Sequence, residues 1–245
     1  MPFTFAHPAI VLPLLSKRWK VFSATALIAG SIAPDFESFI GLGADKEYSH
    51  TWSGVFWFDM PLALLLSIVF HVLVKVPLID HLPGKLSARF QELRETDWIA
   101  FANKHYIIVI TSCFLGILTH MAWDAFTHLN VFYPDSITSR LMWHGHRVYI
   151  LLQYSNSVLG LVLLALFVGK LPSQPVPKRK VEKYKFWLFF VLIAAAIMVF
   201  VVTSLAEEAW LHDWIYLINA CLGAMMYALI TVAVFHRFVI KWLPE

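Results

Sequence analysis

Charge is scarce in this chain. Only 14% of its 245 residues are Asp, Glu, Lys or Arg, against 59% that are apolar or aromatic. A soluble protein is about one-quarter charged, so the soluble globular class is excluded, and the mean hydropathy of +0.68 agrees. Cysteine is scarcer still. Cys113 and Cys221 both lie inside apolar runs, which excludes a disulfide framework or a cysteine zinc pair and leaves them as packing residues. A concentrated basic tract is also missing. The net charge is +3 and the basic residues sit at segment ends, so they speak for membrane topology, and nucleic acid is not expected as a partner. No internal repeat or low-complexity tract is present. No basic region precedes the first apolar stretch, so a cleaved signal peptide is not expected.

What remains is apolar sequence in blocks long enough to cross a bilayer, which takes roughly 20 residues each. The fold class expected is all-α, a polytopic membrane helical bundle of about five to six membrane helices. Residues 8–15 are apolar but too short to span, and residues 21–33 end at Pro34, which disfavours helix at the residue before it. Residues 8–33 therefore read as a short N-terminal helical hairpin, entering part-way, unless the second piece crosses with its lysines snorkelling. A hairpin would return His7 towards Asp35. Spans are expected over 55–74, 106–124, 148–168, 186–205 and 214–240. A solvated loop with an amphipathic helix near 86–101 fills 75–104. The whole of 1–245 reads as a single integral-membrane domain: 1–169 a metal-site half, 170–185 a cytoplasmic basic linker, and 186–245 a C-terminal helix pair.

Orientation follows from the basic loops. Lys178, Arg179, Lys180, Lys183 and Lys185 place the 170–185 linker inside. Counting from there puts the C-terminus in the cytoplasm and the loops 35–54, 129–147 and 207–213 outside. The expected location is the cell membrane (inner or plasma), crossed several times.

That topology gathers reactive side chains at the outer face. His120, Asp124 and His128 are four residues apart, and a four-residue step on a helix turns the side chain by only about 40° and climbs roughly 6 Å. They form one stripe, and imidazole with carboxylate on adjacent turns suits a divalent ion such as zinc. The plainer reading is polar residues at the wet end of a membrane helix. Asp35, Glu37, His50, His144, His146 and His212 fall at the same level, with His7 added by the hairpin. Asp59 lies two turns inside a span, where an ionisable group is costly, and suits a supporting or helix-packing role. His71, His81, His105 and His236 fall at inner ends as interfacial or solvated groups.

Met1-Pro-Phe-Thr-Phe-Ala-His-Pro-Ala9, Gly30-Ser-Ile-Ala-Pro-Asp-Phe-Glu37, Ser49-His50, Phe58-Asp-Met-Pro61 and His120-x-x-x-Asp124 together resemble an uncharacterised bacterial integral-membrane family across nearly the whole chain. More distantly the chain resembles membrane-bound metal-dependent hydrolases, and its order of donors is similar to the zinc-dependent phospholipase C and P1-type nuclease families. The resemblance implies ligand roles for His7, Asp35, His50, His120 and Asp124, with Asp124 bridging, and a weaker role for His128 on a second ion. Those soluble enzymes also use a processed N-terminal Trp and a second His-x-x-x-acid pair. Here Met1-Pro2 precedes His7, and no second pair follows residue 128, so one or two ions are expected and not three.

An ion held with one position open lowers the pKa of bound water to about 7 and makes hydroxide available. Asp124 would bridge two such ions, Arg140 and Arg147 would pair with phosphate, and His144 or His146 would protonate a leaving group. The catalytic candidates are thus Asp124, His144 and Arg147. The expected activity is a membrane-embedded hydrolase of a phosphoester, such as a phospholipid or lipid-linked phosphate, with membrane lipids around it and an amphipathic substrate at the lipid–water boundary. Two alternatives stand beside it: a non-catalytic membrane metal-binding or transport protein, and a structural protein whose polar outer ends hold helices together.

Overall fold

The structure is a computed structural model describing residues 3–15, 21–43, 47–127, 141–143, 146–177, 182–205 and 214–238. Every long element among the described residues is helical. The described strands are two-residue pieces, Met142–Trp143 paired antiparallel with His146–Arg147. Among the described residues five helices are long and apolar enough to cross a bilayer: Trp52–His81, Tyr106–Thr127, Val148–Lys170, Lys183–Ser204 and Trp214–Phe238. They fit a multi-pass membrane protein of the all-α bundle class. On Val148–Lys170 the side chains of Leu159, Leu163 and Leu166 are exposed, as a face solvated by lipid would be.

The chain sorts into two compact units that interleave along the sequence. Residues 1–35, 47–67 and 99–170 make the first, and 36–46, 68–98 and 171–245 the second. The first opens with a 3-10 helix, Thr4–Leu15, containing Pro8 and Pro13. Each proline removes a backbone donor and crowds the carbonyl four residues back, which works against an α-helix. The second arm of the hairpin is an α-helix, Ala24–Ile32, capped by Ser23 through the Ala26 N–H. Nine residues rise roughly 14 Å, under half the ~30 Å hydrocarbon core, so this arm is too short to span by itself.

That arm packs against Tyr106–Thr127 with backbone nearly touching backbone. A Cβ on Gly30 would lie 2.2 Å from the Cys113 carbonyl oxygen, and one on Gly116 would lie 2.3 Å from that of Leu27. Only glycine allows such an approach. The Ser112 hydroxyl accepts a hydrogen bond from the Ser23 N–H at 2.9 Å. On the other side, Val148–Lys170 leans on the 3-10 helix. A Cβ on Gly160 would lie 2.9 Å from the Ala6 carbonyl oxygen, and the Phe3 N–H donates to Ser157 Oγ at 2.8 Å.

The Trp52–His81 helix runs further than the expected 55–74 and ends inside the region read as a solvated loop. Two wide turns interrupt it, Val55–Asp59 and Phe70–Val74, where the N–H groups of Met60 and Lys75 reach back five residues. The first ends two residues before Pro61 and the second three residues before Pro77, and widening the helix accommodates the donor that proline removes. The first wide turn holds Asp59 fully buried.

In the second unit the end of that helix is closed by side chains. Lys183 Nζ donates to the Leu82 carbonyl at 2.6 Å and Trp187 Nε1 to that of His81 at 3.0 Å, so carbonyls past the helix end find partners. Arg94 clasps Asp80 at 2.8 and 3.0 Å, and this pairing raises the Arg94 pKa above its ordinary value. His71 and His81 are buried packing rings, stacked on Trp98 and Phe186 at 4.8 and 4.2 Å. Of the expectation that they are interfacial or solvated, this corrects the second part: neither ring is solvated. The rings are accommodated by stacking, and at His81 also by Nδ1 lying 2.6 Å from the Pro77 carbonyl oxygen.

Candidate metal centre

Three stretches far apart in sequence bring donors to one place in the first unit. The tight turn Ala33–Asp35, forced by Pro34 at the end of Ala24–Ile32, delivers Asp35. The loop before Trp52 delivers His50, which the backbone holds at φ 60. The next residue, Thr51, caps the following helix by accepting the Gly54 N–H at 2.9 Å. The Tyr106–Thr127 helix delivers His120 and Asp124 one turn apart, as the four-residue spacing requires.

The atoms that meet are two imidazole nitrogens and two carboxylate oxygens. His50 Nε2 lies 3.2 Å from both His120 Nε2 and Asp124 Oδ2, and 3.7 Å from Asp35 Oδ1. His120 Nε2 lies 3.4 Å from Asp124 Oδ2 and 3.7 Å from Asp35 Oδ1. All four residues offer ligand atoms within 4.8 Å of one another. Metal bonds of about 2.0–2.2 Å around a tetrahedral ion place the ligand atoms roughly 3.3–3.6 Å apart. The five distances bracket that edge. This Asp/His/His/Asp group could hold a metal ion.

Protons argue the same way. The Ser31 carbonyl lies 2.8 Å from His120 Nδ1 and can only accept. Nδ1 therefore carries the hydrogen, and Nε2 turns a lone pair towards two carboxylate oxygens, which also only accept. A cation, a further proton on the ring or on a carboxyl group, or the Nε2–H of His50 at 3.2 Å would satisfy that lone pair. Metal-binding histidines usually donate their other ring N–H in this manner. Asp35 and Asp124 are 1% and 0% exposed and His120 is 0% exposed. Two carboxylates buried side by side stay ionised together only with positive charge beside them.

The structure brings together His7, Asp35, His50, His120 and Asp124, five of the six residues to which the resemblance gave ligand roles. His7 stands apart in one respect: its Nε2 meets Asp124 at the other oxygen, Oδ1, at 3.1 Å. Glu37 falls in the second unit and is not in the four-residue group. Arg147 and His146 are exposed on the short strand. His128, Arg140, His144 and His212 lie outside the described residues. Sequence reasoning passed over Thr4 and the Ser31 carbonyl. Thr4 Oγ1 donates to Asp35 Oδ2 at 2.6 Å. Its signal was a spacing of three from His7 in a stretch broken by prolines, where a 3-10 helix of three residues per turn puts both on one side.

The family model described as Domain of unknown function (DUF4184) matches residues 1–240, and the chain belongs to that family. No curated protein and no solved structure matches it.

Proposed function

We propose that the protein is a membrane-embedded, zinc-dependent hydrolase acting on a phosphoester of an amphipathic molecule, such as a phospholipid or a lipid-linked phosphate. One observation carries the reading: two Nε2 atoms and two carboxylate oxygens from three separate stretches converge on one point. A mixed nitrogen–oxygen set favours zinc over calcium or magnesium, which take oxygen, and over ions that prefer thiolate. Bound there, the ion would supply Lewis acidity and an acidified water. His50, His120 and Asp124 make the three shortest contacts of the set. Asp35, on both 3.7 Å edges, is the ligand best placed to yield to water. His50 is the least buried donor, with 9% of its side chain exposed, so substrate approaches from its side. The distant likeness to metal-dependent hydrolases supports the reaction class, and the positive-inside count supports a site facing outward.

A second reading rests on the burial of the donors. Structural zinc sites use four protein ligands, whereas catalytic ones use three and keep a position open. A closed ion would tie the hairpin to the bundle without chemistry. The test is purified protein in detergent, wild type against Asp124→Ala, assayed for bound zinc and for cleavage of a phosphodiester lipid in mixed micelles. The hydrolase reading expects one to two ions per chain and turnover, both lost in the variant. Zinc without turnover leaves the structural ion, and a metal-free wild type ends both readings.

A further inference from the structure

The N-terminal 3-10 helix touches the site at two points, and both touch the carboxylates from behind. Thr4 Oγ1 donates to Asp35 Oδ2 at 2.6 Å, while Asp35 Oδ1 faces the histidines. His7 Nε2 lies 3.1 Å from Asp124 Oδ1, while Asp124 Oδ2 faces the histidines. Each carboxylate thus has one oxygen turned inward and the other engaged by the same turn of one helix.

The His7 ring has two neighbours that accept hydrogen bonds. Asp124 Oδ1 is at 3.1 Å from Nε2 and the Thr4 carbonyl at 3.3 Å from Nδ1. The carboxylate is nearer and is the stronger acceptor, which favours the ring proton on Nε2, and His7 is not in the group of four whose ligand atoms lie within 4.8 Å of one another. The ring is also fixed by packing. It stacks on His120 with centroids 4.0 Å apart and meets the edge of Trp123 at 5.7 Å. Behind the 3-10 helix, Ser157 and Gly160 of Val148–Lys170 hold Phe3 and Ala6.

We infer that Thr4 and His7 are positioning residues, a clamp that fixes the two carboxylates by their outer oxygens, and that the site holds a single ion with His7 outside its ligand set. The inference rests on the metal-site reading. It departs from the role that likeness to the trinuclear enzymes gives His7. Without the clamp each carboxylate swings about its last side-chain bond, and the inward oxygens lose the geometry set for the ion. Partners of this kind are worth about ten- to a hundredfold in metal affinity.

The test measures Zn²⁺ affinity of the full chain in detergent, by competition with a chromophoric chelator, together with zinc per chain. Thr4→Val and His7→Leu each bind about ten- to a hundredfold more weakly. Thr4→Ser restores the hydroxyl. His7→Gln places an amide N–H where Nε2–H stood, and both conservative variants return to within about threefold of wild type. The stoichiometry stays at one in every variant. Should His7→Leu not yield folded protein, the Thr4 pair decides the clamp, and the zinc stoichiometry of wild type against His7→Gln decides the ligand set. Two ions in the wild type with one lost in His7→Gln overturn the inference, as does a His7→Gln as weak as His7→Leu. Unchanged affinity in Thr4→Val and His7→Leu overturns it too. These outcomes leave the metal site standing, whereas a wild type without zinc removes the site and the clamp together.

Discussion

His50 occupies the left-handed region at φ 60, which costs a residue with a Cβ about 1–2 kcal/mol. The same backbone turn aims Nε2 at Asp124 and lets Ser49 Oγ lie 3.0 Å from Nδ1. Strain of this kind survives where something repays it, and a bound ion is the natural candidate. Replacing His50 with glycine removes both strain and ligand. The metal-free variant is therefore expected to melt no lower than the metal-free wild type, while added zinc raises the melting temperature of the wild type alone. A fall in the metal-free melting temperature would mean that His50 serves packing and not the ion. At this scale much was legible in the sequence. The His120-x-x-x-Asp124 step is a property of any helix, and the Pro-Asp turn at 34–35 announces itself. Thr4 was not legible, because a lone threonine among apolar residues carries no signal until the helix type, and hence the three-residue period, is known. The Ser31 carbonyl was not legible for a deeper reason: backbone acceptors have no sequence signature.

At the scale of elements, the site depends on how closely Ala24–Ile32 approaches Tyr106–Thr127. Ser31 follows Gly30 directly, and its carbonyl orients His120. A methyl group on Gly30 would sit 2.2 Å from the Cys113 carbonyl, a backbone atom with no rotamer to yield. Gly30→Ala must separate the two helices. It should cost about 1–3 kcal/mol, as overpacking does, and should weaken zinc binding as well by moving Ser31 away from His120. Gly84→Ala is the control, since a Cβ there meets nothing within 4 Å. Equal melting temperatures and zinc affinities for Gly30→Ala and wild type would disprove the coupling. The hairpin was legible in outline from its two short apolar arms and Pro34. The extension of the second long helix to His81 was not. Lys75, Asp80 and His81 look like a solvated loop by composition, yet Lys75 is buried with its amine on the Thr96 carbonyl at 2.6 Å, and Asp80 is claimed by Arg94. Charges satisfied by neighbours remote in sequence defeat any reading by local polarity.

At the scale of the whole molecule, five helices among the described residues are long and apolar enough to cross a bilayer, and the proposed topology has each of them do so. Which side each connecting segment takes follows from charge. Lys178, Arg179, Lys180, Lys183 and Lys185 cluster between the third and fourth spanning helices, and Lys85, Arg89, Arg94 and Lys104 lie between the first and second. The segment between the fourth and fifth carries Glu207, Glu208 and Asp213 with no Lys or Arg. Basic residues near the ends of spans tend to be retained in the cytoplasm, and on that rule we propose that the donors at the start of Trp52–His81 and the end of Tyr106–Thr127 face outward. Fusing alkaline phosphatase, which folds only outside the cytoplasm, tests this directly. A fusion after residue 208 is expected to be active, and one after residue 177 inactive. The reverse pattern would turn the buried donors towards the cytoplasm. It would leave the geometry of the centre intact but move the substrate to the inner leaflet, and a hydrolase of lipids exposed on the outer face would no longer be the reading to pursue.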